Sequence, residues 1–325
     1  MDLKKIFGFD LISPSTSAQL IQENGRLISQ INEKFPIINN IPRFVPTENY
    51  ASAFGLQWNT YRTTQLDSFT GIPISKNRLS RIAGGSLEIF QGKTILEAGC
   101  GAGRFTEILL QSGGKVFAAD ISSAVEANYQ NCSKYENYFV IQADIVHLPV
   151  PPNQFDIVIC IGVIQHTPDP EKTIAALCSY LKPDGKLFID HYSKSYPETP
   201  SRKVFRYFLT KMNKETSLKF VQRYTQIFWP LHRFFFNHRH IFGFGKLRVW
   251  FIYWSPIVDY QDAYFSLGEK LLYEWAVLDT YDTLTDFYKH LRSAEEIEES
   301  LIKNRMRSIE IADAGNGIEA RAIKA

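Results

Sequence analysis

Cysteine is scarce in this chain of 325 residues, with four in total and no two of them spaced as a CxxC pair. Without paired cysteines the sequence offers neither a zinc knuckle nor a disulfide framework. We therefore expect no metal site, no disulfide bonds and a location in the cytoplasm.

Long apolar runs are also missing. The run VWFIYW at 249–254 is far shorter than the about 18 residues of a membrane-spanning helix. The first residues, MDLKKIFGFDLIS, include two lysines but no sustained apolar stretch of the kind that a secretory signal requires. Because 45% of the residues are apolar, we expect a globular protein with a substantial core.

Negative charge is nearly absent from one segment. Residues 201–250 contain eleven lysines and arginines against the single acid Glu215, which gives +10 there and −8 for the remainder of the chain. Phe and Trp side chains interleave with these cations. Such a segment suits an anionic membrane surface, a lipid-linked phosphate or stacked nucleobases. The alternative is a helical cap that packs its aromatic residues internally and leaves a solvated basic face.

Between 93 and 192, short apolar runs alternate with helical stretches. This alternation predicts an α/β fold in which a parallel sheet is buried on both faces. Near the end of the chain, Ser293 and the acids after it indicate a helix start. The run RSIEIADAGNGIEARAI then predicts an antiparallel hairpin.

A glycine-rich turn, in TILEAGCGAGRF at 94–105, follows the first of these strands. Glycine there lets the backbone approach a ligand and adopt unusual dihedral angles. The dinucleotide fingerprint G-x-G-x-x-G does not match, because the third glycine comes one residue early and Arg104 takes the last position. Asp120, at the end of the next strand, suits the ribose of any adenosine cofactor, so a nicotinamide dehydrogenase stays open as an alternative.

Three acids follow strand ends in the same region. Glu97, Asp120 and Asp144 are expected to converge on the carboxyl edge of the sheet, where open α/β sheets bind ligands. In these features the sequence resembles the class I S-adenosylmethionine-dependent methyltransferases, of the small-molecule or glycan type known as methyltransferase-11/12-like. The first motif of that family is an acid-x-Gly-x-Gly-x-Gly turn. The likeness covers 93–192 and 293–323.

The resemblance implies a Rossmann-like, seven-stranded, mostly parallel sheet with a C-terminal antiparallel hairpin, and S-adenosyl-L-methionine as the cofactor. It places the amino-acid end of the cofactor at the glycine turn, the ribose at Asp120 and the adenine at Asp144. The cofactor-binding residues so predicted are Glu97, Gly99, Gly101, Gly103, Asp120, Ile121, Asp144 and Ile145. By position, the catalytic candidates are His166 and His191, and the substrate candidates are Trp58, Tyr61, Tyr281 and Asp282.

The rest of the chain is expected to surround this core. FPIINNIPRFV resembles the tail of a zinc-ribbon-like domain, here without its cysteine pairs and so expected to bind no metal. The predicted units are a small β-rich N-terminal extension (1–46), a helical lid segment (47–92), the cofactor-binding core (93–200), a basic aromatic cap insertion (201–290) and a C-terminal helix with hairpin (291–325).

Missing motifs narrow the predicted reaction. The resemblance would place an Asn-Pro-Pro-Tyr-like tetrapeptide after the fourth strand for DNA adenine methylation, and a Pro-Cys nucleophile for cytosine methylation; neither is present. We therefore expect methyl transfer to an O or N atom of a small-molecule, glycan or lipid-linked acceptor, with peripheral contact between 201–250 and an anionic membrane and no strong nucleic-acid signal. The alternatives are an RNA methyltransferase and a non-catalytic nucleic-acid binder that keeps the fold. The sequence indicates neither the acceptor nor the oligomeric state.

Overall fold

The computed structural model describes residues 3–315 and 317–325. Its strands are, in chain order, β1 (Leu20–Glu23), β2 (Arg26–Ser29), β3 (Lys34–Ile38), β4 (Ile41–Pro42), β5 (Thr94–Ala98), β6 (Lys115–Asp120), β7 (Tyr138–Gln142), β8 (Phe155–Cys160), β9 (Leu181–Tyr192), β10 (Met306–Ala314) and β11 (Gly317–Lys324). Its α-helices are α1 (Leu3–Phe7), α2 (Ser52–Thr60), α3 (Asp67–Thr70), α4 (Ile74–Ile82), α5 (Arg104–Gln111), α6 (Val125–Cys132), α7 (Pro170–Tyr180), α8 (Pro200–Leu209), α9 (Lys214–Asn237), α10 (Phe244–Trp254), α11 (Gly268–Thr285) and α12 (Ala294–Lys303).

A seven-stranded sheet in the order β10-β11-β9-β8-β5-β6-β7 forms the centre of the fold. The strands from β5 to β9 pair in parallel, whereas β11 is antiparallel to both β9 and β10. This confirms the predicted Rossmann-like class with its C-terminal hairpin. Asn316, in the turn predicted for that hairpin, lies outside the described residues.

The central strands are apolar on both faces because both faces are covered. Ile95 and Val116 belong to one core cluster, and their neighbours Leu96 and Phe117 belong to another. Since successive side chains of a strand point to opposite faces, the two clusters lie on opposite sides of the sheet.

The order in which successive strands are added to the sheet changes side at β5. Strands β6 and β7 lie on one side of β5, and β8 and β9 lie on the other. The carboxyl edge at such a reversal forms a crevice between diverging loops, which is where ligands of this architecture bind.

The residues Lys-Pro-Asp-Gly at 182–185 have the composition of a turn, but they do not interrupt the strand. These residues lie inside β9, where Asp184 has φ of +60° and the pairing with β8 shifts register between Phe155 and Ile157. The sequence signal therefore marks an irregularity within a long strand, because Gly185 lets the backbone stay close to β8: a Cβ there would lie 3.2 Å from the Asp156 carbonyl oxygen.

Two smaller layers flank the sheet. An antiparallel sheet of β1 to β4 comes first, and Arg43 ties it to the edge strand β7 by donating to the Gln142 side chain at 3.1 Å. Helices α8 to α11 form a separate layer that packs partly through Leu218, Val221 and Tyr281. Within the described residues, none of the helices combines the length and the apolar character needed to cross a bilayer. The zinc-ribbon likeness and the unit boundaries remain predictions.

Candidate functional site

A cavity of about 420 Å³ lies at the carboxyl edge of the sheet. The segments that follow β5, β6, β7 and β8 form one side of it, and residues of α2 and α11 form the other. Among the described residues, no group of three or more His, Cys, Asp or Glu side chains is arranged to hold a metal ion.

The glycine turn lies at the base of this cavity. Gly99 and Gly101 line the cavity with φ angles of +79° and +49°. A Cβ on Gly99 would lie 2.3 Å from Val163 Cγ2, and one on Gly101 would lie 3.4 Å from the indole nitrogen of Trp58. The turn therefore has Val163 on one side and Trp58 on the other. A Cβ on Gly99 would require Val163 to move, whereas a Cβ on Gly101 would fill the space next to the Trp58 indole.

Asp120 connects the turn to the end of β6. Its carboxylate accepts hydrogen bonds from the Gly101 amide at 2.9 Å and from the Ser122 amide and hydroxyl at 2.8 and 2.6 Å. Burial raises the pKa of Asp120, and these donors offset part of that rise. A carboxylate has about four lone-pair sites, so Asp120 keeps capacity for one ligand hydroxyl.

Asp144 lies at the same edge, after β7. Its side chain accepts from the Val146 amide at 2.9 Å and begins the short 3-10 helix Ile145–His147. Ile121 and Ile145 line the cavity beside the two acids. The structure thus brings together two carboxylates and two aliphatic side chains, as predicted for the nucleoside end of a cofactor.

Glu97 and Gly103 lie behind the turn and do not line the cavity. Glu97 accepts a hydrogen bond from the Thr106 hydroxyl at 2.5 Å, and burial raises its pKa to about 8. Gly103 precedes α5 with φ of +96°, where a Cβ would lie 3.0 Å from Cys132 Sγ. These residues shape the turn, and the direct cofactor contact predicted for them needs correction.

His166 lines the cavity after β8. Its Nδ1 donates to the Tyr288 carbonyl oxygen at 3.1 Å, and its ring lies between Phe54 and Tyr192 with centroids 5.3 Å from each. Burial lowers the pKa of His166 to about 4. The ring is therefore neutral near pH 7 with Nδ1 protonated, which leaves Nε2 as an acceptor.

His191, predicted to be catalytic, does not line the cavity. The side chain of its neighbour Asp190 points to the opposite face of the sheet. There it accepts a hydrogen bond from the Gly162 amide at 2.5 Å and pairs with Arg78. His191 is buried with Nδ1 donating to the Tyr192 carbonyl oxygen at 2.9 Å. Burial lowers its pKa to about 4 from an ordinary 6.5.

This lowered pKa makes a testable contribution to stability. As pH falls, the unfolded chain takes up the His191 proton before the folded chain does, so stability is fully present above about pH 6.5 and is lost toward pH 4. We expect the difference in unfolding free energy between wild type and His191→Gln to change by about 1 kcal/mol per pH unit in that window. Urea unfolding at neutral and acidic pH measures it, with the exposed His240→Gln as control. A difference that does not vary with pH contradicts the assignment.

Of the four predicted substrate residues, Trp58 and Asp282 line the cavity and the two tyrosines do not. Tyr61 Oη accepts from the Gln222 amide nitrogen at 2.9 Å, away from the site. Tyr281 is fully buried against α9 and donates to the Lys214 carbonyl oxygen at 3.0 Å. The substrate contact predicted for Tyr61 and Tyr281 is therefore corrected to packing between helices.

One face of α11 supplies the far wall of the cavity. Trp275, Asp279 and Asp282 line it at intervals of four and three residues, which places them on one side of the helix. Asp279 accepts from the Gln65 amide at 3.1 Å, whereas Asp282 Oδ1 is buried without a hydrogen-bond partner among the described residues. Burial, followed by the charges of Asp279 and Asp286, raises the pKa of Asp282 well above its usual range.

The remaining wall is aromatic and was missed in the sequence. Tyr192 and Tyr196 stack with centroids 4.1 Å apart, and Tyr264 stacks on Trp275 at 5.4 Å. Arg104 also lines the cavity, donating to Gln65 Oε1 at 2.8 Å, and burial lowers its pKa to about 10. Tyr192 and Tyr196 are four residues apart, but Tyr264 comes from a distant segment, and no local pattern indicates that the two stacked pairs line one cavity.

Comparisons with known proteins agree with this geometry. The family model described as "Methyltransferase domain" matches residues 96–189. A ubiquinone biosynthesis O-methyltransferase of Hydrogenovibrio crunogenus is 32% identical over 110 residues, or 33% of this chain and 45% of that protein. The enzyme of the same name from Haemophilus ducreyi is 29% identical over 144 residues, or 42% of this chain and 58% of that one. The chain thus spans about half the length of the curated relatives it matches.

Among solved structures, a SAM-dependent methyltransferase from Aquifex aeolicus aligns over 86% of this chain and 100% of its own, with 14% identity and a TM-score of 0.45. The matched segment 96–189 runs from β5 into β9 and contains the glycine turn, both edge acids and His166. The match to the methyltransferase-domain model therefore covers the part of the chain that forms the sheet edge of the cavity.

Proposed function

We propose that this chain transfers the methyl group of S-adenosylmethionine to a hydroxyl oxygen of a small-molecule acceptor. The observation that carries the proposal is the division of one cavity into two chemically different parts. Asp120 and Asp144 lie at the sheet edge, and an aromatic wall with the unpaired carboxylate of Asp282 lies opposite.

The first part of the cavity fits the cofactor. Ribose hydroxyls and the adenine amino group are hydrogen-bond donors, and the two edge carboxylates are acceptors in the same cavity. Ile121 and Ile145 supply apolar contact for a ring, and the missing side chain of Gly101 leaves space beneath Trp58. When bound, S-adenosylmethionine supplies a methyl group activated by the sulfonium.

The second part of the cavity has the groups that an acceptor hydroxyl needs. Methyl transfer requires alignment, exclusion of water and removal of the hydroxyl proton. Asp282 is suited to accept this proton, because its Oδ1 has no hydrogen-bond partner and burial raises the pKa of its carboxyl group. His166 is a weaker base, since its pKa is about 4, and we propose that its Nε2 orients the acceptor hydroxyl.

Oxygen is favoured over nitrogen as the atom methylated. The matched relatives are named as O-methyltransferases, although the chain covers about half of them. A flat acceptor suits the aromatic wall, because rings stack on Tyr and Trp with a gain of about 0.5–1.5 kcal/mol per pair. Glycan and lipid-linked acceptors are less flat, and we place them second.

Transfer of an isotopically labelled methyl group tests the proposal. Wild-type protein is incubated with labelled S-adenosylmethionine and matched aromatic acceptors that carry either a hydroxyl or an amine, with RNA as a third acceptor. We expect label on oxygen. Label on the amine or on RNA alone, or no transfer to any hydroxyl compound by protein that binds the cofactor, contradicts the proposal.

A further inference from the structure

Helix α10 presents its apolar side to solvent and a charged side chain to the interior. Arg248 is buried and pairs with Asp262 at 2.5 Å and with Asp259 at 3.6 Å. In contrast, its neighbours Val249 and Trp250 are 69% and 62% exposed. A surface helix ordinarily has the opposite arrangement, so the outward side of α10 is suited to something other than water.

The exposed apolar side chains of α10 follow helical spacing. Leu247, Trp250 and Trp254 are separated by three and four residues and are all at least half exposed. This spacing places them in one stripe along the helix. A stripe differs from scattered exposed residues, which are normal on protein surfaces.

Two further helices pack against α10. Helix α8 and helix α9 both contact α10, and each has its own exposed apolar residues. We call the whole set the apolar face: Val204, Tyr207 and Phe208 of α8, Phe220, Ile227, Leu231 and Phe234 of α9, and Leu247, Val249, Trp250, Tyr253 and Trp254 of α10.

Exposed cations lie on the same helices as the apolar face. Lys219, Arg223 and Lys246 are exposed on α9 and α10, and no acidic group lies within ion-pair distance of them in the described part of the chain. The segment 201–250 has one acid, Glu215. Tryptophan and tyrosine with surrounding lysine and arginine are the side chains that favour the boundary between lipid headgroups and acyl chains.

We propose that the apolar face binds the surface of an anionic lipid bilayer, a role that does not depend on methyl transfer. A second copy of the chain is disfavoured as occupant, because two segments of +10 would face one another. A single-stranded nucleic acid is also disfavoured, because bases gain little from aliphatic side chains, and five of the twelve residues of the face are aliphatic, including Ile227, Leu231 and Val249.

Co-sedimentation of the full chain with vesicles tests this proposal. We expect binding to vesicles of phosphatidylcholine with phosphatidylglycerol, and at least about tenfold weaker binding to phosphatidylcholine alone or at high salt. Trp250→Ser with Trp254→Ser, and separately Lys219→Glu with Lys246→Glu, are each expected to weaken binding by about tenfold or more.

A matched control distinguishes the apolar face from general surface hydrophobicity. Ile302 on α12 is 59% exposed outside the apolar face, so Ile302→Ser is expected to bind vesicles as the wild type does. Far-ultraviolet circular dichroism confirms that each variant is folded. The proposal is overturned if the wild type does not bind anionic vesicles at low salt, if Ile302→Ser weakens binding equally, or if the substitutions instead abolish a dimer or RNA binding.

Discussion

Asp282→Asn is expected to slow methyl transfer to a hydroxyl acceptor by about 10²–10⁴-fold, the range of a positioned general base. Asparagine keeps the shape of the side chain and removes its ability to take a proton. The unpaired Oδ1 and the raised pKa of Asp282 make it the best-placed proton acceptor in the cavity. Turnover measured against pH should lose its acidic limb in the variant, because that limb reports the loss of the Asp282 proton, while affinity for S-adenosylhomocysteine stays within about threefold of wild type.

Asp169→Asn is the matched control for this variant. Asp169 also lines the cavity, but its side chain caps α7 by accepting from the Lys172 amide at 3.1 Å, and asparagine caps a helix equally well. We expect this control to keep wild-type turnover. If His166→Gln abolishes turnover and Asp282→Asn does not, the proton acceptor is His166 and our assignment is wrong.

Gly99→Ala is expected to destabilise the fold by about 2–4 kcal/mol. About 1 kcal/mol arises because an L-residue is strained at φ of +79°, and a further 1–3 kcal/mol arises from overpacking. The added Cβ would lie 2.3 and 2.7 Å from the two methyl carbons of Val163. Since a β-branched side chain is stiff, Val163 has little freedom to move aside. Urea unfolding at neutral pH measures the loss.

Gly71→Ala separates the backbone contribution from the contact with Val163. Gly71 has φ of +71°, and no heavy atom lies within 4 Å of its added Cβ. We expect a loss of about 1 kcal/mol at this control position. Equal losses for the two variants would show that Val163 relaxes at no cost, contrary to the tight turn described above.

The sheet and the meeting of two acids at its edge were predictable from sequence for a physical reason. Parallel strands place their carboxyl ends at one edge, so acids such as Asp120 and Asp144 that follow separate strands must approach one another. The glycine turn was also predictable from sequence, because Gly99 and Gly101 have the positive φ angles that few other residues tolerate.

Side-chain direction was harder to predict. In β9 the run from Leu187 to Tyr192 is buried throughout, so burial and hydrophobicity give no alternation from which to choose between Asp190 and His191. In α11, which of Tyr281 and Asp282 faces the cavity could have been predicted from helical spacing. Once 268–285 is read as a helix, its spacing puts Asp282 with Trp275 and places Tyr281 elsewhere.

The aromatic wall lay beyond sequence reasoning. Tyr192 ends β9, Tyr264 precedes α11, and α11 itself is brought to the cavity by packing against α8 and α9. Such contacts depend on tertiary arrangement, which no local period records. The burial of Arg104 has the same origin, since it depends on Gln65 and Ser75 from the preceding helical segment.

Calorimetric titration with S-adenosylhomocysteine tests the central claim, that the cavity holds this cofactor through the edge acids, most directly. Wild type, Asp120→Ala and the exposed control Asp313→Ala are compared. We predict micromolar binding by wild type and control, and binding about 10–100-fold weaker in Asp120→Ala, as expected for the loss of a charge-assisted hydrogen bond. Absence of binding by the wild type, or equal affinity in Asp120→Ala, would contradict the account.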